Sequence, residues 1–166
     1  MSVALAALLF LCMAGIGIAR VDRCDDGPGI SVNSQPSTPS TLALGSLTTT
    51  FTGDYAYAGN FFNITTASDM KITGLDLNLE YYGNSCDLEL YVKDGTSEGF
   101  EYNSTLWTLE QTATIIAQGY GLSSHWDLSS WTKVFEAGKT YGICIYLSNY
   151  ENTTRRVRYS YGTPTT

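Results

Sequence analysis

The stretch that decides the fold is Met70–Gly95, "MKITGLDLNLEYYGNSCDLELYVKDG". Leu75, Leu77, Leu79 and Tyr81 alternate with Gly74, Asp76, Asn78 and Glu80. After the turn "YGNS", Cys86, Leu88, Leu90 and Val92 alternate with Asp87, Glu89, Tyr91 and Lys93, and Asp94-Gly95 reads as a further turn. Period-two alternation is the pattern of a strand with one buried and one wet face. The stretch predicts two half-buried strands, with the carboxylates Asp76, Glu80, Asp87 and Glu89 pointing outward as a solubilising surface.

The same punctuation continues on both sides. Upstream come "LTTTF", a Gly/Tyr-rich turn and "GNFFNITT". Downstream come a polar loop over 96–105, then "WTLEQTATIIAQG", "WDLSSWTKVF", the tight turn "EAGKT", "YGICIYLSN" and "RRVRYSYG". No segment has a convincing helical period and no repeat is evident. Short strands at regular spacing with Gly turns predict an all-β antiparallel β-sandwich, jelly-roll-like, over residues 46–166. Its expected core is Leu75, Leu77, Leu79, Leu88, Leu90, Val92, Ile143 and Ile145. In the last segment Val157, Tyr159 and Tyr161 alternate with Arg156, Arg158 and Ser160. That strand is expected to leave an open edge wanting a neighbour.

Composition supports one folded domain. Of the 166 residues 43% are hydrophobic and only 15% charged, which excludes a disordered chain. The net charge of −7, with no basic stretch of useful length, argues against a nucleic-acid partner. Arg155, Arg156 and Arg158 are the local exception. Arg156 and Arg158 share a strand face, either as a solvated edge-protecting pair or as a contact for an acidic surface such as another copy of this chain.

Residues 1–19 carry no charged side chain, and Ala4–Ile18 is an apolar run of signal-peptide length, short for a membrane span. Gly17-Ile18-Ala19 suits cleavage before Arg20, so the mature chain is expected to have no membrane span and to be secreted; the alternative is a retained apolar segment that packs in an assembly. Residues 20–45 form a Pro/Ser/Thr-rich linker or strand-donating arm, with "GISV" and "TLAL" able to add to a sheet edge. Three sequons, at Asn63, Asn103 and Asn152, agree with an exported glycoprotein and are expected at the surface.

Cys12 leaves with the signal, so Cys24, Cys86 and Cys144 remain, one bond and one leftover thiol, or a bond between chains. Cys86 shares parity with inward Leu88. Cys144 opposes Ile143 and Ile145 and so should point out, which disfavours a Cys86–Cys144 bond unless a bulge shifts the register. That pair is nonetheless the leading intrachain assignment, with Cys24 free or intermolecular. The spacings match no zinc site.

Chemistry is sparse. His125 is the lone histidine, beside Trp126, and reads as structural or solvent-facing. No nucleophile set can be assembled, so no catalytic residue is assigned and the chain is not expected to be an enzyme. No cofactor is assigned; calcium is a candidate only for the loops "CDDGPG" and "KDGTSEGFE", neither of which has EF-hand spacing. Tyr55, Tyr57, Tyr82, Trp126 and Trp131 lie in or beside loops, where exposed rings would stack on sugars. The alternative is that the tryptophan Trp107 and most tyrosines fill the core and its rim.

The layout "GNFFNITTASDMKITGLDLNL", "LELYVKDGTSEGFE", "WTLEQTATI", "FEAGKTYGICIYLS" and "VRYSYG" resembles an uncharacterised β-sandwich module that recurs in large secreted or surface proteins of bacteria and algae, over about residues 47–162. The resemblance rests on turns and core positions, implies the fold, and brings no catalytic residues. The expected function is an extracellular structural or adhesive protein that self-assembles into a filament or surface layer through its arm, its partners being copies of itself or a related subunit. A carbohydrate-binding module is the alternative, and a secreted hydrolase a third and weaker one.

Overall fold

The computed structural model describes residues 51 and 53–159 in full, together with the backbone course of 19–23 and 44–47. The expected signal segment up to Ile18, Cys24 and the segment "GISV" lie outside the described residues. The strands are β1 (Ala19–Arg23), β2 (Leu44–Leu47), β3 (Tyr55–Tyr57), β4 (Gly59–Thr65), β5 (Met70–Asn78), β6 (Ser85–Asp94), β7 (Thr108–Ile116), β8 (Ser123–Asp127), β9 (Thr140–Leu147) and β10 (Val157–Tyr159). Among the described residues there is no α-helix, only a 3-10 turn at Ser104–Leu106, and no helix long and apolar enough to cross a membrane. The chain is all-β, and every strand pairing is antiparallel.

One four-stranded sheet runs in the order β2-β1-β5-β8, a second in the order β4-β9-β6-β7, and β10 pairs with β3. The Leu79–Val157 bridge, with Glu80 N–H donating to the Arg156 carbonyl at 2.9 Å, stitches β10 to the chain just beyond the end of β5. All eight expected core residues are buried, and they fall in one apolar cluster with Ile72, Trp126, Leu128, Trp131, Phe135 and Leu147. Alternation explains most of this set. Ile72 and Leu75 break the period, because the β1–β5 register slips between Arg20 and Val21 and leaves Thr73 as a bulge. A second slip, on β7 opposite Leu90 and Tyr91, frees Glu110. Its carboxylate accepts from Lys133 Nζ at 2.7 Å and from the Trp131 indole at 3.3 Å, tying the segment after β8 across the edge of β7.

Three expectations about edges change. The "YAYAG" segment is not only a turn, since Tyr55–Tyr57 is strand β3. The strand at Val157–Tyr159 is not an open edge: it has β3 on one side and the Leu79 bridge on the other. The described ends of the 20–45 arm are strands rather than linker, β1 and β2. Its strand β1 lies between β2 and β5 of the same chain, with Val21 opposite Ile72 and Arg23 opposite Met70.

Cys86 and Cys144 are both free thiols. Cys144 sits opposite Tyr91 while Cys86 pairs with Ile115 at the far end of β6, so the two are separated both along the strands and by face. Parity on this point holds and the assigned bond is not made. Exposure is where parity misleads: Cys144 is on the face away from Ile143 and Ile145, yet it is only 7% exposed. Phe61 and Tyr91 flank it in register, and Trp107 meets Phe61 edge-on at 5.3 Å. The loop after β6 folds over this outer face and covers it.

Candidate functional site

Glu80 is the centre of the most elaborate polar arrangement. Strand parity points it outward, and it was expected to be solvated, but it is 6% exposed. The correction comes from β10. Because Val157 bridges Leu79, the flanking Arg156 and Arg158 arrive on the Glu80 face, where cross-strand neighbours meet. Arg158 donates Nε to Glu80 Oε1 at 3.0 Å and brings Nη2 to the same oxygen. Arg156 Nε sits against Oε2 as an ion pair without the alignment of a hydrogen bond. Arg158 Nη1 donates to the Gly53 carbonyl at 2.7 Å, fixing the approach to β3. Two guanidinium groups on one carboxylate leave the cluster with a net positive charge.

The arginines also hold aromatic rings. Arg156 Nη2 donates to Tyr81 Oη at 2.9 Å, with the guanidinium 5.5 Å from the Tyr81 ring centre. Arg158 lies 4.3 Å from the Tyr120 ring centre, a cation–π contact. Tyr82 packs against the loop after β7, its Cβ in van der Waals range of the space above Gly119. Tyr81, Tyr82 and Tyr120 are 42%, 79% and 56% exposed. Together they form a tyrosine–arginine platform at the end of β5.

Local structure explains the placement. Tyr81 was expected on the inward face with Leu79. Its φ of 66° instead turns the chain out of the strand. It is the only non-glycine with positive φ among the described residues, and a bulky side chain there is strained, at a cost of about 1 kcal/mol or more. The turn is pinned to the other loop by Gly83 N–H to the Ala117 carbonyl and by Ala117 N–H to the Asn84 carbonyl. Gly119 takes φ 96°, and Gly121 N–H donates to Asn78 Oδ1 at 3.1 Å. Both tyrosine-bearing loops are thus tied to β5 and to each other.

The residues singled out for sugar stacking land differently. Trp126 and Trp131 are 3% and 5% exposed and belong to the core, so neither can stack on a ligand. A position beside a loop had suggested exposure, but Trp126 occupies the inner face of β8 and Trp131 meets Phe135 edge-on at 5.4 Å. Tyr55 and Tyr57 pair with Tyr159 and Val157, both buried, and so lie on the face of β3 away from the arginines. Tyr55 stacks on Tyr159 at 6.0 Å and Tyr57 leans on Tyr150 at 5.3 Å. Tyr82 is the one ring of that group found on the platform. Tyr81 and Tyr120 carried no signal in the sequence beyond lying next to glycine turns.

The sequon asparagines are exposed at all three positions. Asn103 Oδ1 accepts from Thr105 Oγ1 at 2.7 Å, and Asn152 Oδ1 accepts from Tyr150 Oη at 3.0 Å. Asn63 has a structural duty: Nδ2 donates to Thr96 Oγ1 at 3.0 Å, and Oδ1 accepts from Ser97 N–H at 2.8 Å. Ser97 thereby seats on Gly142, where an added Cβ would come within 3.0 Å of its nitrogen. His125 pairs with Asp76 at 2.8 Å on the outer face. No group of three His, Cys, Asp or Glu residues is arranged to hold a metal among the described residues. The loop "CDDGPG" lies outside them. A cleft of about 370 Å³ lies beside Lys93, Phe100, Leu106 and Lys133, with Lys93 Nζ 4.2 Å above the Phe100 ring.

No protein-family model, no curated protein and no solved structure matches the chain.

Proposed function

We propose that the protein is a secreted, N-glycosylated β-sandwich, made of the two four-stranded sheets, that acts as an extracellular adhesive module by binding carbohydrate on the tyrosine–arginine platform. The observation that carries this reading is Tyr81, a bulky residue held at φ 66° with its ring exposed beside Tyr82 and Tyr120. A turn of this shape is easiest for glycine, so a strained tyrosine there points to a use for the ring. Tyr81 and Tyr120, held by arginine contacts, lose little freedom on binding, and sugar faces stack on such exposed rings. The resemblance to a module of surface proteins agrees in compartment.

The filament reading has less support. The arm strand that would complete a neighbour is paired with β5 of its own chain. Native-gel retardation on embedded polysaccharide tests the choice. A discrete monomer that is retarded, and whose retardation is lost in Tyr82→Ala, is the expected result. Filaments under electron microscopy, with no retardation on any polysaccharide, would replace adhesion to glycans by self-assembly.

A further inference from the structure

We infer that the platform selects acidic sugars, glycans carrying carboxylate or sulfate groups, over neutral ones. The inference rests on the carbohydrate reading above and adds the ligand's charge. Glu80 neutralises one of the two guanidinium groups that flank it, and no second carboxylate among the described residues pairs with Arg156 or Arg158. Arg156 Nη2 is bonded to Tyr81 Oη and its Nε faces Glu80 without an aligned hydrogen bond, so Glu80 does not saturate its donors. The two arginine side chains remain 23% and 22% exposed, so an incoming anion can reach their outer edges.

The geometry suits such a ligand. A guanidinium presents its N–H groups in a plane and binds a carboxylate or sulfate through paired donors. Glu80 pairs with both guanidinium groups, and its hydrogen bonds to Arg158, with that of the Gly53 carbonyl, fix the Arg158 plane. Tyr81 and Tyr120 lie against those same guanidinium groups. With one face of the Tyr120 ring taken by Arg158, a sugar seated against the exposed side of these tyrosines lies beside the arginine pair, where its acidic substituent would meet a guanidinium edge. The rest of the chain is acidic, with net charge −7. At physiological ionic strength that field is screened beyond about 8 Å, so the local pair governs the contact.

The test is titration calorimetry of the full chain with an oligogalacturonate and with its methyl-esterified, uncharged counterpart. The acid should bind at least tenfold tighter than the ester, and its affinity should fall as salt rises from 50 to 500 mM. Tyr82→Ala should weaken the acid tenfold while leaving the melting temperature unchanged, and Tyr120→Ala should weaken it tenfold with a small fall in melting temperature from the lost Arg158 contact. Equal affinity for acid and ester, both lost in Tyr82→Ala, would overturn the charge selection and leave the carbohydrate reading standing. Failure of both probes to bind, with sulfated oligosaccharides equally inert, would overturn both readings.

Discussion

Arg158 grips Glu80 with two donors and at the same time lies 4.3 Å from the centre of the Tyr120 ring. One side chain thus joins three distant parts of the chain: the end of β5, the strand β10 and the loop between β7 and β8. The ion pair and the ring contact are one structure, and changes at either end should be felt at the other.

Removing the carboxylate tests that coupling. In Glu80→Gln the two arginines lose their counter-ion in a site that is largely out of water. Breaking a buried pair by deleting one partner costs about 3–5 kcal/mol, and the partial exposure of the arginines puts the expected loss near 3. Tyr82→Ala, which leaves the Glu80–arginine pairing intact, should stay within about 0.5 kcal/mol of the wild type. Urea denaturation of both variants decides it, and similar stabilities for the two would mean that Glu80 is not a keystone.

The inner faces of β5 and β6 set a second expectation. Leu77 and Leu90 are fully buried in the cluster shared by both sheets. Leu77→Ala and Leu90→Ala should each destabilise by about 2–5 kcal/mol. Since a small domain has about 5–15 kcal/mol in hand, the double variant should approach the unfolding threshold at room temperature. Melting temperatures unchanged in both single variants would mean the two sheets do not pack on these residues.

These leucines were legible because a single local rule, alternation, fixes which way they point. The same rule failed at Tyr81, one residue past the paired stretch, where positive φ reverses the direction that parity implies. It also failed in exposure at Glu80 and Cys144. Their facing was read correctly, but their burial depends on Arg156, Arg158, Phe61 and Trp107, each of them remote or on another strand. Trp126 and Trp131 show the opposite error, in which nearness to a loop in sequence was taken for nearness to solvent. The platform was hidden for the same reason: its members come from three segments that only the completed sheets bring together.

Asn63 carries two roles that mutation can separate. As a sequon residue it should bear a glycan in a eukaryotic secretory host, as should Asn103 and Asn152. As a staple it holds Thr96 and Ser97 over β9. Asn63→Gln should remove one glycan mass and also speed proteolysis within residues 96–103. Thr65→Ala should remove the same mass while leaving the staple intact and the loop resistant. Equal proteolysis in the two variants would assign the effect to the glycan.

The last expectation concerns alkaline pH. Burial pushes the Cys144 thiol far above its ordinary value of 9.0, with Glu89 adding to the effect. Burial likewise raises Tyr91, helped by its hydrogen bond to Glu89. Both groups are therefore held neutral in the folded chain at a pH where the unfolded chain would ionise them. Above pH 9 the unfolded state binds fewer protons than the folded state, so stability falls as pH rises; below that the contribution is fully present. Melting temperature should be flat from pH 7 to 8.5 and then decline up to pH 10.5. Cys144→Ala should make the decline shallower, although Tyr91 keeps part of it. In a chain with Cys12 and Cys24 replaced by serine, no thiol should react with a maleimide at pH 7.5 until denaturant is added. Rapid native labelling, or a decline of the same slope in Cys144→Ala, would show that the outer face of β9 is open and that Phe61 and Tyr91 do not seal it.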